Sequence, residues 1–86
     1  MNTVTLITFM KEVEKEAIRG FEKYGPWEEL SNKKQRDAVK SECLEWEAAS
    51  LKTGKEGVMR EMQELTHLAN VCSKRWIELH HKLSKG

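Results

Sequence analysis

The residues with the greatest chemical potential are the acids of Ser41-Glu42-Cys43-Leu44-Glu45-Trp46-Glu47-Ala48-Ala49. The stretch reads as helix interior. At ~100° per residue Glu42 and Glu45 fall within ~60° of each other on the helix wheel. Ala38 and Ala49 lie between them, Val39 and Trp46 flank them on one side, and Leu44, Ala48 and Leu51 flank them on the other. Arg36, Lys40 and Glu47 collect on the opposite side. Two carboxylates therefore stand near the centre of a face that otherwise calls for burial. A buried carboxylate without compensation neutralises itself or finds a cation.

A second acidic group follows in Glu61-Met62-Gln63-Glu64-Leu65-Thr66-His67. Antiparallel packing across a short turn would bring these acids beside Glu42 and Glu45. Several carboxylates in one half-buried spot repel each other, and a hard cation, Mg²⁺ or Mn²⁺, relieves that repulsion through oxygen ligands. Such a site suits nucleoside phosphates, because Mg²⁺ keeps waters and takes up phosphate oxygens. The competing reading is ordinary surface charge. Acid pairs at i, i+3 are frequent on exposed helices, Arg60 is one turn from Glu64 as a surface partner, and a single His67 is more often structural than a ligand.

Three helices must position these groups, within one all-α domain spanning residues 1–86. The first helix is expected from Asn2 or Thr3, either of which can cap it, up to Gly25-Pro26. Leu6, Met10, Val13 and Ala17 form its stripe, widened by Ile7, Ile18 and Phe21, with Gly20 marking a close neighbour or merely tolerated. Trp27–Leu30 is a connector. Ser31 caps a second helix over Asn32–Thr53, and Gly54 is expected as its C-cap within a loop reaching Gly57. The third helix runs from about Val58 to Leu83. Its main stripe is Val58, Met62, Leu65, Ala69, Cys72, Trp76 and Leu83, widened on both sides, so it should bury more than one face. Apolar arcs this wide exceed what three helices can cover. The expectation is a helical bundle completed by a homodimer or a larger symmetric oligomer such as a tetramer.

Composition narrows the partners. Fifteen basic residues oppose 14 acidic ones, for a formal charge of +1, which gives no electrostatic case for nucleic acid. No run approaches the ~18 apolar residues of a membrane span, and the apolar stretch Val4–Met10 lacks the marks of a signal peptide. Cys43 and Cys72 form no C-x-x-C pair and read as buried free thiols in a reducing cytoplasm, with a disulfide between them left open.

Three segments together resemble the MazG-like family of all-α nucleoside triphosphate pyrophosphohydrolases, in particular its small phage-type members. They are Arg19-Gly20-Phe21-Glu22-Lys23-Tyr24-Gly25-Pro26-Trp27, Ala38-Val39-Lys40-Ser41-Glu42-Cys43-Leu44-Glu45 and Glu64-Leu65-Thr66-His67-Leu68-Ala69. The resemblance covers about residues 13 to 79. It implies that Glu42 and Glu45 match the family's E-x-x-E metal ligands and catalytic carboxylates, and Glu64 the first acid of E-x-x-D. His67 stands where the aspartate is expected, a departure, and Glu61-x-x-Glu64 is the alternative register. The resemblance further implies that Arg19, Lys23 and Tyr24 lie near the pocket mouth. It leaves Trp27 to stack on a base or plug the bundle end, and Asn70 to hydrogen-bond a sugar or base or simply to face solvent. The implied reaction is Mg²⁺-dependent cleavage to nucleoside monophosphate and pyrophosphate. Two other roles compete: a degenerate module that sequesters a nucleotide, and a helical protein that grips a host protein.

Overall fold

The computed structural model describes residues 3–85, apart from the side chains of residues 20–22. It is all-α: α1 covers Thr3–Tyr24, a short 3-10 turn covers Trp27–Glu29, α2 covers Asn32–Ser50 and α3 covers Gly54–Lys85. Asn2, a candidate cap of α1, lies outside the described residues, as do the side chains of Gly20 and Phe21. Gly25 ends α1 with φ +73, a left-handed conformation that costs glycine nothing. Ser31 caps α2 by accepting a hydrogen bond from the Lys34 amide at 3.2 Å.

The α2–α3 turn is tighter than the sequence suggests. α2 stops at Ser50 with Leu51 as its C-cap, three residues short of Thr53. Gly54, with φ +79, opens α3 instead of closing α2. Lys55 and Glu56 are good helix formers, and Glu56 places an acid in the first turn, where the helix dipole favours it. Gly57 is buried against the turn: a Cβ there would sit 2.7 Å from the backbone carbon and oxygen of Lys52.

α2 and α3 pack antiparallel. Ala38 meets Val71 in the core, Trp46 reaches Glu61, and Gln35 reaches Arg75. α1 lies against α3, tied by Asn70 Nδ2 donating to the Glu16 carbonyl at 3.2 Å. The buried apolar residues among those described are Trp27, Ala38, Ala49 and Val71, outnumbered by the buried polar Gln35, Glu42, Glu64, Thr66, His67 and Asn70. The interior is thus built around polar groups more than around an oily core, which is unusual because such groups are costly to bury unpaired.

Several apolar stripes turn outward, against expectation. Leu6, Met10 and Ile18 on α1 are exposed, as are Leu44 and Leu51 on α2. On α3 the exposed set is the main stripe apart from half-buried Ala69, from Val58 and Met62 to Trp76 and Leu83. The face that packs on α2 is instead the polar-edged one carrying Glu64, His67, Leu68 and Val71. The cysteines, expected to be buried, are exposed free thiols; burial first, and then the neighbouring Cys43, push the Cys72 thiol up. Among the described residues no helix is long and apolar enough to cross a membrane.

Candidate functional site

Where α2 crosses α3, Glu42 and Glu64 are each 2 % exposed. One ligand atom from each, with one from buried His67, lie within 4.8 Å of one another. Helix geometry explains the meeting. Glu42 shares its face with Ala38 and Ala49, whose small side chains let α3 come close, while Glu64, His67 and Val71 follow each other at i, i+3, i+7 on the facing side.

Glu42 is anchored through one oxygen. Its Oε1 accepts from Lys23 Nζ at 2.9 Å and from Tyr24 Oη at 2.8 Å, both from the end of α1. Its Oε2 is buried without a hydrogen-bond partner. Glu64 repeats the pattern: Arg60 Nη2 lies 3.0 Å from Oε1, and Oε2 is buried with no hydrogen bond. His67 Nδ1 comes within 3.3 Å of that oxygen, off the line a hydrogen bond requires. Leaving a buried polar atom unmade costs about 1–3 kcal/mol, more for a charged group, so two such oxygens beside one imidazole mark a place made for a further partner.

Glu16 and Arg19 hold His67. Glu16 Oε1 is 3.2 Å from Nε2, and Arg19 Nη2 lies 2.8 Å from both ring nitrogens. Since a guanidinium only donates, these contacts suit the tautomer with its hydrogen on Nε2, given to Glu16, and with Nδ1 accepting from Arg19 Nη2. A carboxylate that orients a ligating imidazole in this way is the usual outer partner of a metal-bound histidine. The donors at hand, two carboxylates and an imidazole, fit Mn²⁺ or Zn²⁺ better than Mg²⁺.

Titration follows the same contacts. Burial pushes the Glu42 carboxyl up, but hydrogen bonds with Glu45, Lys23 and Tyr24 outweigh it and hold Glu42 below the ordinary carboxylate value. Glu45 is pushed up, first by its hydrogen bond with Glu42, then by burial and by the charge of Glu42. For Lys23, burial is overcome by its hydrogen bonds with Glu42 and Tyr24, and its pKa rises.

A cleft of about 350 Å³ opens above this cluster. Arg19, Lys23, Lys52 and Arg60 line it, together with Glu45, Glu64 and His67. The Glu45 side chain is 45 % exposed and stands 3.7 Å from Lys23 Nζ, at the rim and not in the buried cluster. Glu61 does not join the cluster: its Oε2 accepts from Trp46 Nε1 at 3.1 Å, one turn towards the α2–α3 loop. Of the two registers, the structure brings Glu64 and His67, not Glu61, against Glu42.

Arg19, Lys23 and Tyr24 stand where α1 meets the site. Trp27 is not at the cleft. It is buried with Ala38 and Val71, packed by Tyr24, Leu30, Val39 and Leu68, and so plugs the end of the bundle without a free face for a base. Asn70 is 3 % exposed, neither solvated nor at the cleft, and its amide braces α1. Sequence reasoning missed Glu16 and Lys52 and took Arg60 for surface pairing alone. The spacing of Glu16, Arg19 and Lys23, at i, i+3 and i+7, was the available signal that one face of α1 carries all three.

No protein-family model, curated protein or solved structure matches this chain.

Proposed function

We propose that the protein is a divalent-cation-dependent nucleoside triphosphate pyrophosphohydrolase. The supporting observation is the pair of buried carboxylate oxygens without hydrogen bonds, Glu42 Oε2 and Glu64 Oε2, grouped with His67 beneath a cleft lined by four cationic side chains. Glu42, Glu64 and His67 would hold the cation, with Glu45 at the rim. Bound there, it would supply charge for the phosphates and an acidified water. Arg19, Lys23, Lys52 and Arg60 neutralise phosphate oxygens in the cleft. Glu45, with its carboxyl pushed up towards a better base, takes the proton of the attacking water. Attack on phosphorus then releases nucleoside monophosphate and pyrophosphate. The exposed free thiols suit work in a reducing cytoplasm.

A second reading, a module that sequesters a nucleotide without cleaving it, draws support from His67. An imidazole braced by Glu16 and Arg19 stands where the resembling family carries an aspartate, so the charge available to a hard cation is lower. One experiment separates the two. Canonical and modified nucleoside triphosphates are screened for pyrophosphate release with Mn²⁺ or Mg²⁺, beside calorimetry of the same nucleotides. Turnover that disappears in Glu45→Ala and Glu64→Gln, with helicity kept, supports the enzyme. Binding without products supports the module. Turnover undiminished in both variants removes the assignment of these residues.

A further inference from the structure

Three cationic side chains already hold the acidic cluster from the cleft side. Lys23 Nζ donates to Glu42 Oε1 at 2.9 Å, Arg60 Nη2 lies 3.0 Å from Glu64 Oε1, and Arg19 Nη2 lies 2.8 Å from His67 Nδ1. All three line the cleft, and each side chain is about half exposed. The three contacts are not equivalent. Each carboxylate keeps a second oxygen, Oε2, buried and without a hydrogen bond, so Glu42 and Glu64 can take up a cation without releasing Lys23 or Arg60. His67 has no such reserve. Its Nε2 is turned to Glu16 Oε1 at 3.2 Å, Nδ1 carries the remaining lone pair, and Arg19 sits on it. A lone pair serves a hydrogen bond or a metal ion, not both.

Arg19 can let go of His67 without leaving the site. Its Nε donates to the two Glu16 oxygens at 3.0 and 2.8 Å, one turn back on the same helix, so the guanidinium stays anchored there while Nη2 turns away. The released N–H needs another acceptor. The acids lining the cleft, Glu45 and Glu64, already face Lys23 and Arg60. A phosphate oxygen entering the cleft supplies the acceptor, and its contact with a guanidinium is among the strong hydrogen bonds.

We infer that Arg19 is a latch on His67 that a phosphate-bearing ligand releases, so that the cluster takes up its cation weakly alone and tightly in the presence of phosphate. Arg19 is thus a positioning residue that acts through His67. The inference rests on reading Glu42, Glu64 and His67 as a cation site, and it does not need hydrolysis. Coupling of this kind is reciprocal and typically amounts to about 5–150-fold in affinity. Charge works in the same direction, since a guanidinium and a divalent ion at one imidazole repel each other until an anion stands beside them.

The full chain, in chloride buffer, is titrated with Mn²⁺, and the free ion is read by electron paramagnetic resonance. Arg19→Met should bind Mn²⁺ roughly tenfold tighter than the parent. Arg60→Met removes the same charge from the same cleft but releases no donor that Glu64 Oε2 does not already offer, so it should gain clearly less. Sulfate, a tetrahedral oxyanion that complexes Mn²⁺ only weakly, then stands in for phosphate. It should tighten Mn²⁺ binding to the parent roughly tenfold and tighten Arg19→Met far less; the parent arm stands even if the variant fails to fold. With Zn²⁺, the NMR resonance of His67 Nδ1, assigned by its loss in His67→Gln, should shift to that of a ligated nitrogen in Arg19→Met without sulfate, and in the parent only with it. Equal affinity in the parent and Arg19→Met, an equal gain in Arg60→Met, or no tightening of the parent by sulfate would overturn the latch and leave the cation site standing. No Mn²⁺ binding by any of the three proteins would instead remove the site itself, and the latch with it.

Discussion

The contact between Lys23 and Glu42 permits a sharp test through Lys23→Met, which keeps the length of the stem and removes the ammonium. Glu42 is buried and Lys23 Nζ is 2.9 Å from its Oε1. Breaking a fully buried pair by deleting one partner costs ~3–5 kcal/mol. The Lys23 side chain is 40 % exposed, so solvent already screens part of the interaction, and about 1–2 kcal/mol is the expected loss. For a chain of this size that lowers the melting temperature by roughly 5–15 °C. The pH dependence fixes the cause. Glu42 in the native protein lies below its unfolded value, so it contributes stability that is present at neutral pH and lost as the pH falls through its folded pKa. Without Lys23, one of the groups that hold it down is lost and the Glu42 carboxyl moves up, with Glu45 and Tyr24 still beside it. The gap between the two proteins should therefore be widest near neutrality and close only as acidification carries the pH below the ordinary carboxylate range. Urea melts with chelator, at matched protein concentration, measure it. Equal stability at neutral pH, or a gap that does not close with acid, would refute the reasoning. Adding Mn²⁺ extends the test: with the resident ammonium gone, the rise in melting temperature should be larger in the variant than in the parent.

Three further outcomes follow from single contacts. His67→Asp supplies the hard oxygen ligand in place of the imidazole, so metal-dependent stabilisation should shift in favour of Mg²⁺ over Mn²⁺, read as the two melting-temperature increments. Gln35→Leu removes the amide that donates to the Trp27 and Leu30 carbonyls at 3.1 and 3.3 Å and accepts from Arg75 at 2.6 Å; urea denaturation should register a loss of about 1–3 kcal/mol. Gly57→Ala would gain helix propensity of up to ~1 kcal/mol, but its Cβ meets the Lys52 backbone at 2.7 Å, so a net loss of about 1–2 kcal/mol in thermal melts is expected.

The sequence made the helices legible because their punctuation is local. Gly25-Pro26 and Ser31 act on the residues beside them, and the structure uses them as the spacing predicts. The α2–α3 turn was misjudged because Gly54 can stop one helix or start the next with the same positive φ, and only the tertiary approach of Gly57 to Lys52 decides which. Burial was harder to read than helicity. A stripe of apolar residues says that a helix needs a neighbour but not which molecule provides it. On α3 the strongest stripe faces out, while the face that packs within the chain is edged by Glu64 and His67. Glu42 was legible as an acid on an apolar face; for Glu16 the only signal was its spacing to Arg19 and Lys23, and its role shows only once α3 brings His67 alongside.

This inversion explains the rest of the molecule. If the face turned inward is largely polar, its groups must be held by pairing, and Lys23, Arg60 and Arg19 do so at Glu42, Glu64 and His67. Pairing of this kind sets geometry more than it adds stability, because desolvation consumes much of the Coulombic gain. Among the described residues, apolar contact within the protomer centres on Trp27, Ala38 and Val71 with the partly buried Tyr24, Leu30, Val39 and Leu68 packed around them. Substitutions within the cluster should therefore alter the response of the melting temperature to added cation while leaving helicity intact.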